Sequence, residues 1–189
     1  MQILSELKEY AQSNDVPIIH DETVAFLQGF IDKKKITSVL EIGTAIGYSA
    51  LQMAKCKTVK RVVSIERNYG LAQIATANIK RAGQSEIIEV INEDALKYAT
   101  SEKFDLLFID AAKAQYQKFL DCYIDNVKYV IADNMDFHGM VADPSLTQNR
   151  NTRALVRKLA KFKEDIMENP DYSSQYFTDG DGILLITKL

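Results

Sequence analysis

Five acidic residues stand where five successive apolar segments of the chain end: Glu41, Glu66, Asp94, Asp110 and Asp133. The segments are short, and helical patterns fill the intervals between them, so they predict five β-strands. In an open α/β sheet, ligands bind outside the carboxyl ends of the strands. We therefore expect five carboxyl groups around one crevice, where they could serve a cationic cofactor and a hard metal ion.

The alternation of segments predicts an α/β fold. Strands are predicted over residues 37–41, 61–66, 86–91, 104–109 and 128–132. Helices are predicted over 2–13, from a cap at Asp21 onward, and over 47–56, 69–82, 95–100, 114–125 and 150–167. Residues 172–178, the DGDG turn at 179–182 and residues 183–189 predict a closing β-hairpin. This order indicates a mostly parallel sheet with an antiparallel edge, and the loop of roughly 15 residues after the fifth strand is long enough to be a functional candidate.

Length and composition limit the class of protein. The chain has 189 residues, of which 47% are hydrophobic and 26% charged, as in one globular domain. A net charge of −3 argues against a protein that binds nucleic acid over its whole surface, although one basic face is compatible with it. The isolated Cys56 and Cys122 lack the spacing of a metal or redox motif. No apolar run is long enough for a membrane span and no secretory pattern opens the chain, so we predict a cytoplasmic protein.

The turn after the first strand reads Glu41-Ile-Gly-Thr-Ala-Ile-Gly-Tyr-Ser49. It matches neither GxGxxG nor GxxxxGK[ST], and alone it fits a structural strand–helix turn as well as a nucleoside site. Glu66 favours the nucleoside site, because it ends the second strand 25 residues after Glu41, near the spacing at which an acid reaches ribose hydroxyls. Asp94 could meet an adenine edge, and Glu41 could balance a cationic group or hold the turn.

A second group of polar residues follows the fourth and fifth strands. Asp110 and Asp133 end adjacent strands, and Asn134 adds an amide oxygen beside Asp133. Such an oxygen-only set suits Mg²⁺ better than Zn²⁺, although Asp133-Asn134 could also be a turn pair. Lys113 follows three residues after Asp110 and is either a solvated lysine or, beside a divalent cation, a general base.

In sequence order, the motifs EIGTAIGYSA, FIDAAK, ADN and GDGI resemble those of the class I S-adenosylmethionine-dependent O-methyltransferases of the catechol and caffeoyl-CoA type. The resemblance covers roughly residues 10–189. NDVPIIHDE and NRNTRALVRKL are similar to the bacterial branch that methylates 5-hydroxyuridine in tRNA. The resemblance implies a Rossmann-like fold with a seven-stranded sheet and helices on both faces. It also implies one domain over 1–189, with a helical cover at 1–35 and a core at 36–189.

The resemblance also assigns roles to residues. Asp110, Asp133 and Asn134 would bind Mg²⁺ or Mn²⁺. Lys113 and Asp110 would be the catalytic residues, with Lys113 as the base. Glu66 would bind the ribose of S-adenosylmethionine. The other expected cofactor contacts lie in the first turn, in the turn after the third strand, beside the metal site and in a loop at 16–19 that closes over the cofactor: Ile19, Glu41, Gly43, Tyr48, Ser49, Asp94, Ala95 and Asp110.

The methyl acceptor is left open between two classes. Arg150, Arg153, Arg157 and Lys158 crowd on one predicted helix, which is either a solvated face or a tRNA-binding surface. A small catechol is the alternative, although residues 148–152 lack the late glutamate that helps the animal catechol enzymes hold their substrate. We expect a homodimer. A nucleotide-dependent dehydrogenase and a non-catalytic RNA-binding relic are the other classes, which the missing GxGxxG and the intact metal set disfavour.

Overall fold

The computed structural model describes residues 2–189. Six α-helices lie at Gln2–Ser13 (α1), Asp21–Lys34 (α2), Tyr48–Ala54 (α3), Tyr69–Arg81 (α4), Tyr116–Tyr123 (α5) and Arg150–Glu168 (α6). Seven strands lie at Ser38–Ile42 (β1), Arg61–Ile65 (β2), Ile88–Ile91 (β3), Phe104–Ile109 (β4), Val127–Ala132 (β5), Tyr172–Phe177 (β6) and Ile183–Lys188 (β7). Short 3-10 helices at Lys113–Gln115, Ile124–Asn126 and Pro144–Leu146 complete the regular structure.

The seven strands form one sheet in the order β3-β2-β1-β4-β5-β7-β6. The first five strands are parallel, while β7 pairs antiparallel with both β5 and β6. This confirms the predicted sheet and its antiparallel C-terminal hairpin. Because β1 lies between β2 and β4, the order reverses at β1, and the crevice at such a switch point is where ligands bind in open α/β sheets.

The strands are buried on both faces, so their sequences are continuous apolar runs. Val39 and Leu40 are both fully buried but pack on opposite sides of β1. One side packs against α1, α2 and α3, and the other packs against α5 and α6. No helix within residues 2–189 is long and apolar enough to cross a membrane.

Two local predictions are wrong. The helix expected over 95–100 is a single turn, because Asp94 accepts the N–H of Leu96 at 2.9 Å through its side chain and that of Lys97 at 2.8 Å through its carbonyl. Asp21 does not cap α2. The cap position is His20, and Asp21 is the first helical residue, whose carboxylate pairs with Lys8.

Candidate active site

A cavity of about 300 Å³ opens at the carboxyl ends of β1, β2 and β4. Its wall is formed by the turn after β1, the end of β2, the turn after β3 and the segment after β4. Seven of the residues predicted from the sequence line it: Gly43, Glu66, Asp94, Ala95, Asp110, Lys113 and Asn134. The sheet thus brings Glu66, Asp94 and Asp110, which follow three different strands, into one cavity. Lys113 and Asn134 line the same cavity.

Glu66 is held in place by backbone N–H groups. Its carboxylate accepts the N–H of Ala45 at 3.0 Å and that of Asn68 at 2.8 Å. Ala45 has a left-handed backbone with φ of 46°, a conformation that costs about 1–2 kcal/mol for a residue with a Cβ atom. The bond to Glu66 therefore helps to hold the turn after β1, and the remaining lone pairs of the carboxylate stay available to hydroxyl groups in the cavity.

Gly43 is required by the packing of the protein itself. Its φ is 105°, and a Cβ atom there would lie 1.9 Å from the carbonyl oxygen of Asp110. The turn after β1 therefore presses directly on the backbone at the end of β4. This contact joins the cofactor side of the cavity to Asp110.

Four other residues predicted to bind the cofactor are buried: Ile19, Glu41, Tyr48 and Ser49. They are absent from the cavity wall that residues 2–189 form, and Pro17 and Ile18 provide the lining from the loop before α2. The hydroxyl of Tyr48 accepts a hydrogen bond from Gln52 Nε2 at 2.9 Å. These four residues lie behind the cavity surface.

Glu41 lies inside β1, beside Ser64 on β2. Its Oε2 atom accepts a hydrogen bond from the Ser64 hydroxyl, whereas Oε1 is buried without a hydrogen-bond partner in the described chain. Burial raises the pKa of Glu41 to about 7, and the neighbouring Ser49 and Ser64 hydroxyls oppose that rise. A carboxylate left in this state favours a positively charged neighbour.

Asp133 is fully buried behind the cavity at the end of β5. The Thr23 hydroxyl donates to its Oδ1 atom at 3.2 Å, and the Tyr116 hydroxyl donates to its carbonyl oxygen at 3.0 Å. Its Oδ2 atom has no hydrogen-bond partner among the described residues. Burial, together with the charge of Asp110, raises the pKa of Asp133 to about 7.

Asn134 joins Asp133 to Asp110. Its amide donates to Asp110 Oδ1 at 2.9 Å, and its backbone is left-handed with φ of 58°. Burial raises the pKa of Asp110, while the charges of Lys113 and His20 oppose that rise. The three residues predicted as metal ligands are therefore neighbours at one edge of the sheet. Within residues 2–189 no group of three or more His, Cys, Asp or Glu side chains could hold a metal ion, so a cation here would need further oxygen ligands.

Lys113 separates this cavity from a second one. Its Nζ atom lies 5.6 Å from the centroid of the Phe137 ring. The second cavity, of about 390 Å³, is lined by Lys113 and by residues of α6 that include Arg157, Lys158, Lys161 and Asp165. Of the four residues predicted to bind RNA, the structure therefore brings Arg157 and Lys158 to the side of Lys113. Arg150 and Arg153 lie near the start of α6, where Arg153 donates to the Gln148 carbonyl at 3.3 Å.

Three residues that contact this region were not predicted as site residues from the sequence. Thr23 reaches Asp133 across 110 positions of the chain. Phe137 lies in a loop whose conformation has no sequence signature. Asp181 lies in the GDGI motif at the closing turn, for which no role in the site was predicted from the sequence. Long-range contacts of this kind have no periodicity that could reveal them.

A model of the O-methyltransferase family matches residues 1–189. The chain belongs to the O-methyltransferase family. The crystal structure of a candidate caffeoyl-CoA O-methyltransferase from Staphylococcus aureus superimposes with a TM-score of 0.93 and 33% identity, over 98% of this chain and 92% of that one. The predicted Rossmann-like methyltransferase fold is thereby confirmed.

Two further relatives of this O-methyltransferase bear on its chemistry. An O-methyltransferase from Bacillus cereus, solved in complex with SAH, has a TM-score of 0.83 and 25% identity, over 100% of this chain and 91% of that one. The catechol O-methyltransferase of Niastella koreensis is 29% identical over 133 residues, which cover 65% of this chain and 60% of that protein. The predictions of a methyltransferase of the catechol and caffeoyl-CoA type and of S-adenosylmethionine as methyl donor are confirmed.

Proposed function

We propose that this O-methyltransferase methylates 5-hydroxyuridine in tRNA to 5-methoxyuridine, with a divalent metal ion at Asp110, Asp133 and Asn134. The observation that carries the proposal is the second cavity, in which Arg157 and Lys158 share a wall with Lys113. An acceptor that reacts beside Lys113 would have these two cations next to it. A nucleotide carries its phosphate close to its base, whereas a small catechol has no such group.

The first cavity would hold S-adenosylmethionine. Glu66 is fixed by two backbone N–H groups and keeps lone pairs for the ribose hydroxyls. Asp94 and Ala95, in the turn after β3, line the part of the wall where the adenine would lie. Glu41 lies under the turn after β1 with one carboxylate oxygen lacking a partner among the described residues, and it would offset the positive charge of the cofactor.

The residues at the ends of β4 and β5 fit a divalent metal ion. Asp133 Oδ2 is buried without a partner in the described structure, and Asp110 Oδ1 accepts the Asn134 amide at 2.9 Å. Carboxylate and amide oxygens are the ligands that Mg²⁺ and Mn²⁺ favour. A divalent cation held there would lower the pKa of an acceptor hydroxyl and fix its oxygen.

The protein residues then have two tasks. In methyl transfer, the acceptor oxygen forms a bond to the methyl carbon as the bond from that carbon to sulfur breaks, so the two reactants must be aligned. Glu66 and the turn after β1 would align the donor. The acceptor proton has to leave, and Lys113, which lines the cavity beside Asp110, would act as the base that takes it.

The position of the basic residues supports RNA as the source of the acceptor. Arg157 and Lys158 are exposed and line the cavity next to Lys113. The other basic cluster, Lys33–Lys35, ends α2 just before β1 begins, so it lies at the amino ends of the strands, on the edge opposite the site. The two clusters therefore differ in their distance from the reaction and provide a matched comparison.

A small catechol is the second candidate acceptor. The likeness to the catechol O-methyltransferase of Niastella koreensis favours it. Its two neighbouring hydroxyls could bind one metal ion, as could O5 and O4 of 5-hydroxyuracil. Against it, Asn149 is occupied as the cap of α6, where its side chain accepts the N–H groups of Asn151 and Thr152 at 2.9 and 3.1 Å. No acid is present in that segment to hold a catechol hydroxyl.

The test compares four acceptors: 5-hydroxyuridine, its 5′-monophosphate, a tRNA anticodon stem-loop that contains it, and catechol. The proposal expects the phosphate and the stem-loop to lower KM relative to the nucleoside. Arg157→Gln with Lys158→Gln should remove this advantage and leave the KM for catechol unchanged. For the stem-loop, the slope of the logarithm of affinity against the logarithm of salt concentration should become less negative by about 1.4, or about 0.7 for each lost phosphate contact.

Lys33→Gln with Lys35→Gln is the control, because it removes the same charge at the opposite edge of the sheet. It should leave all four acceptors unchanged. Efficient turnover of catechol without turnover of any hydroxyuridine acceptor would make the protein a small-molecule enzyme. Equal losses from both double variants would mean that net charge, and not the second cavity, governs RNA binding.

A further inference from the structure

We propose that the closing turn, residues 179–182, is a positioning device for the proposed metal and base site, and that Asp181 is its central residue. The turn belongs to the hairpin between β6 and β7 and is far from Asp110 and Asp133 in sequence. The inference rests on the proposed function, because it concerns the same site. It adds a role for residues that the methyl-transfer chemistry does not itself use.

The first observation is the environment of Asp181. Its side chain is only 8% exposed, although an aspartate in a hairpin turn is usually solvated. Its Oδ1 atom accepts the backbone N–H of His138 at 2.6 Å, and the His138 ring lies with Nδ1 3.8 Å from Oδ2. The buried carboxylate of Asp181 therefore binds the backbone of a different loop, the one that contains His138.

The second observation is the set of backbone bonds around this contact. Met135 N–H donates to the Gly182 carbonyl at 2.9 Å, and Asp136 N–H donates to the Asp181 carbonyl at 2.8 Å. Together with the His138 bond, three N–H groups of the 134–138 loop end on two residues of the closing turn. The turn therefore supplies the hydrogen-bond acceptors for these three backbone N–H groups of the loop.

The third observation is that the 134–138 loop needs such support. Asn134, Phe137 and His138 all have left-handed backbones, with φ of 58°, 47° and 58°. Each such residue with a Cβ atom costs about 1–2 kcal/mol, so the conformation persists only when contacts hold it. Asn134 is a proposed metal ligand, and the Phe137 ring lies 5.6 Å from Lys113 Nζ. The contacts of Asp181 thus reach both parts of the site.

The turn also supports Asp133 from the other side. A Cβ atom at Gly180 would lie 2.6 Å from Thr23 Oγ1, so the turn backbone is in close contact with Thr23. The Thr23 hydroxyl donates to Asp133 Oδ1 at 3.2 Å. Gly180 is therefore required both by its φ of 59° and by the position of the hydroxyl that orients Asp133.

The experiment uses three readouts on the full chain. Since the protein contains no tryptophan, Phe137→Trp introduces a single tryptophan in the 134–138 loop, whose fluorescence can be excited apart from that of the nine tyrosines. Acrylamide quenching of that residue measures how firmly the loop is held. Calorimetry with S-adenosylmethionine reports on the first cavity, and turnover of the hydroxyuridine stem-loop and of catechol reports on the complete site in chains that keep Phe137.

Asp181→Ala should leave the S-adenosylmethionine Kd unchanged and lower kcat about tenfold or more, because misplaced catalytic groups lose rate steeply. In the Phe137→Trp background it should raise the quenching constant at least about twofold. Asp181→Asn keeps an acceptor for the His138 N–H and should restore most of both properties. Asp179→Ala, an exposed change in the same turn, should resemble the unsubstituted chain.

Should Asp181→Ala fail to fold, Asp181→Ser takes its place, because its hydroxyl is too short to reach His138 and the same outcomes are expected. Unchanged kcat and quenching would overturn the proposal. So would a loss of S-adenosylmethionine affinity equal to the loss of kcat, which would mean that Asp181 supports the whole fold. If the unsubstituted chain methylates neither acceptor, the proposed function fails, while the quenching result still decides the role of Asp181.

Discussion

The carboxylate of Glu66 provides the sharpest test of the cofactor site. Glu66→Gln retains the size of the side chain but replaces one carboxylate oxygen by an amide nitrogen. An amide nitrogen is a donor and accepts no hydrogen bond, so only one of the two backbone N–H groups that now bind separate oxygens of Glu66, Ala45 at 3.0 Å and Asn68 at 2.8 Å, keeps an acceptor. The substitution also replaces charge-assisted hydrogen bonds to the ribose hydroxyls by neutral hydrogen bonds.

The expected effect follows from the difference between these two kinds of bond. Hydrogen bonds to charged groups contribute about 1.5–3 kcal/mol, and neutral ones about 0.5–1.5 kcal/mol. We expect a loss of about 2 kcal/mol of binding free energy, or about 30-fold in the Kd for S-adenosylmethionine. Glu66→Ala is a poorer probe, because it also releases the left-handed Ala45 and so reduces the free energy of unfolding.

Isothermal titration calorimetry with S-adenosylmethionine and with S-adenosylhomocysteine measures this Kd. Glu93→Gln is the matched control, since Glu93 lines the same cavity but is exposed to solvent. Screening should keep its effect below about 1 kcal/mol. If Glu66→Gln binds the cofactor as tightly as the unsubstituted protein, or if Glu93→Gln loses as much affinity, the ribose contact is assigned to the wrong residue.

Two further predictions concern the buried acids. Excess chelator should abolish turnover, and Asp133→Asn should reduce it at least about tenfold while calorimetry still detects S-adenosylmethionine, because Asp133 is buried behind the cofactor cavity; activity that persists in chelator would contradict the metal site. Glu41 has an ordinary pKa of 4.5 and a folded pKa of about 7, so the folded state binds a proton that the unfolded state releases between these values. As the pH rises through that window, the free energy of unfolding of the ligand-free protein should fall by up to about 3 kcal/mol. Chemical denaturation near pH 5 and near pH 8 should show a larger fall in the unsubstituted chain than in Glu41→Gln, because Asp133, whose pKa is also raised to about 7, contributes its own fall to both proteins. An identical pH dependence of the two proteins would refute the prediction for Glu41.

The sheet was predictable because its strands are buried on both faces. A continuous apolar run such as FDLLFI, which forms β4, has few alternatives to a central strand. The turn at 95–100 was not predictable as a turn, because the decision between a helix and a turn there depends on which N–H groups the Asp94 side chain accepts. Periodicity carries no information about such a local competition.

The candidate site was predictable where topology alone determines it. Glu66, Asp94 and Asp110 follow parallel strands, so their approach to one another is a consequence of strand order. The burial of Glu41 and Asp133 was not predictable in the same way. It depends on Ser64, Thr23 and other residues that come together only in the folded sheet.

The acids of the site fall into two groups according to their partners. Glu66 has backbone N–H groups on both oxygens and faces the cavity, which suits the recognition of uncharged hydroxyls. Glu41 and Asp133 are fully buried, and each has one oxygen without a partner among the described residues. Burial of an incompletely satisfied carboxylate is unfavourable unless positive charge is brought to it. The two buried acids lie on the two sides of Asp110, one beneath the turn after β1 and one at the end of β5. The arrangement therefore fits a reaction that brings two separate positive charges to the site, a sulfonium cofactor on one side and a metal ion on the other.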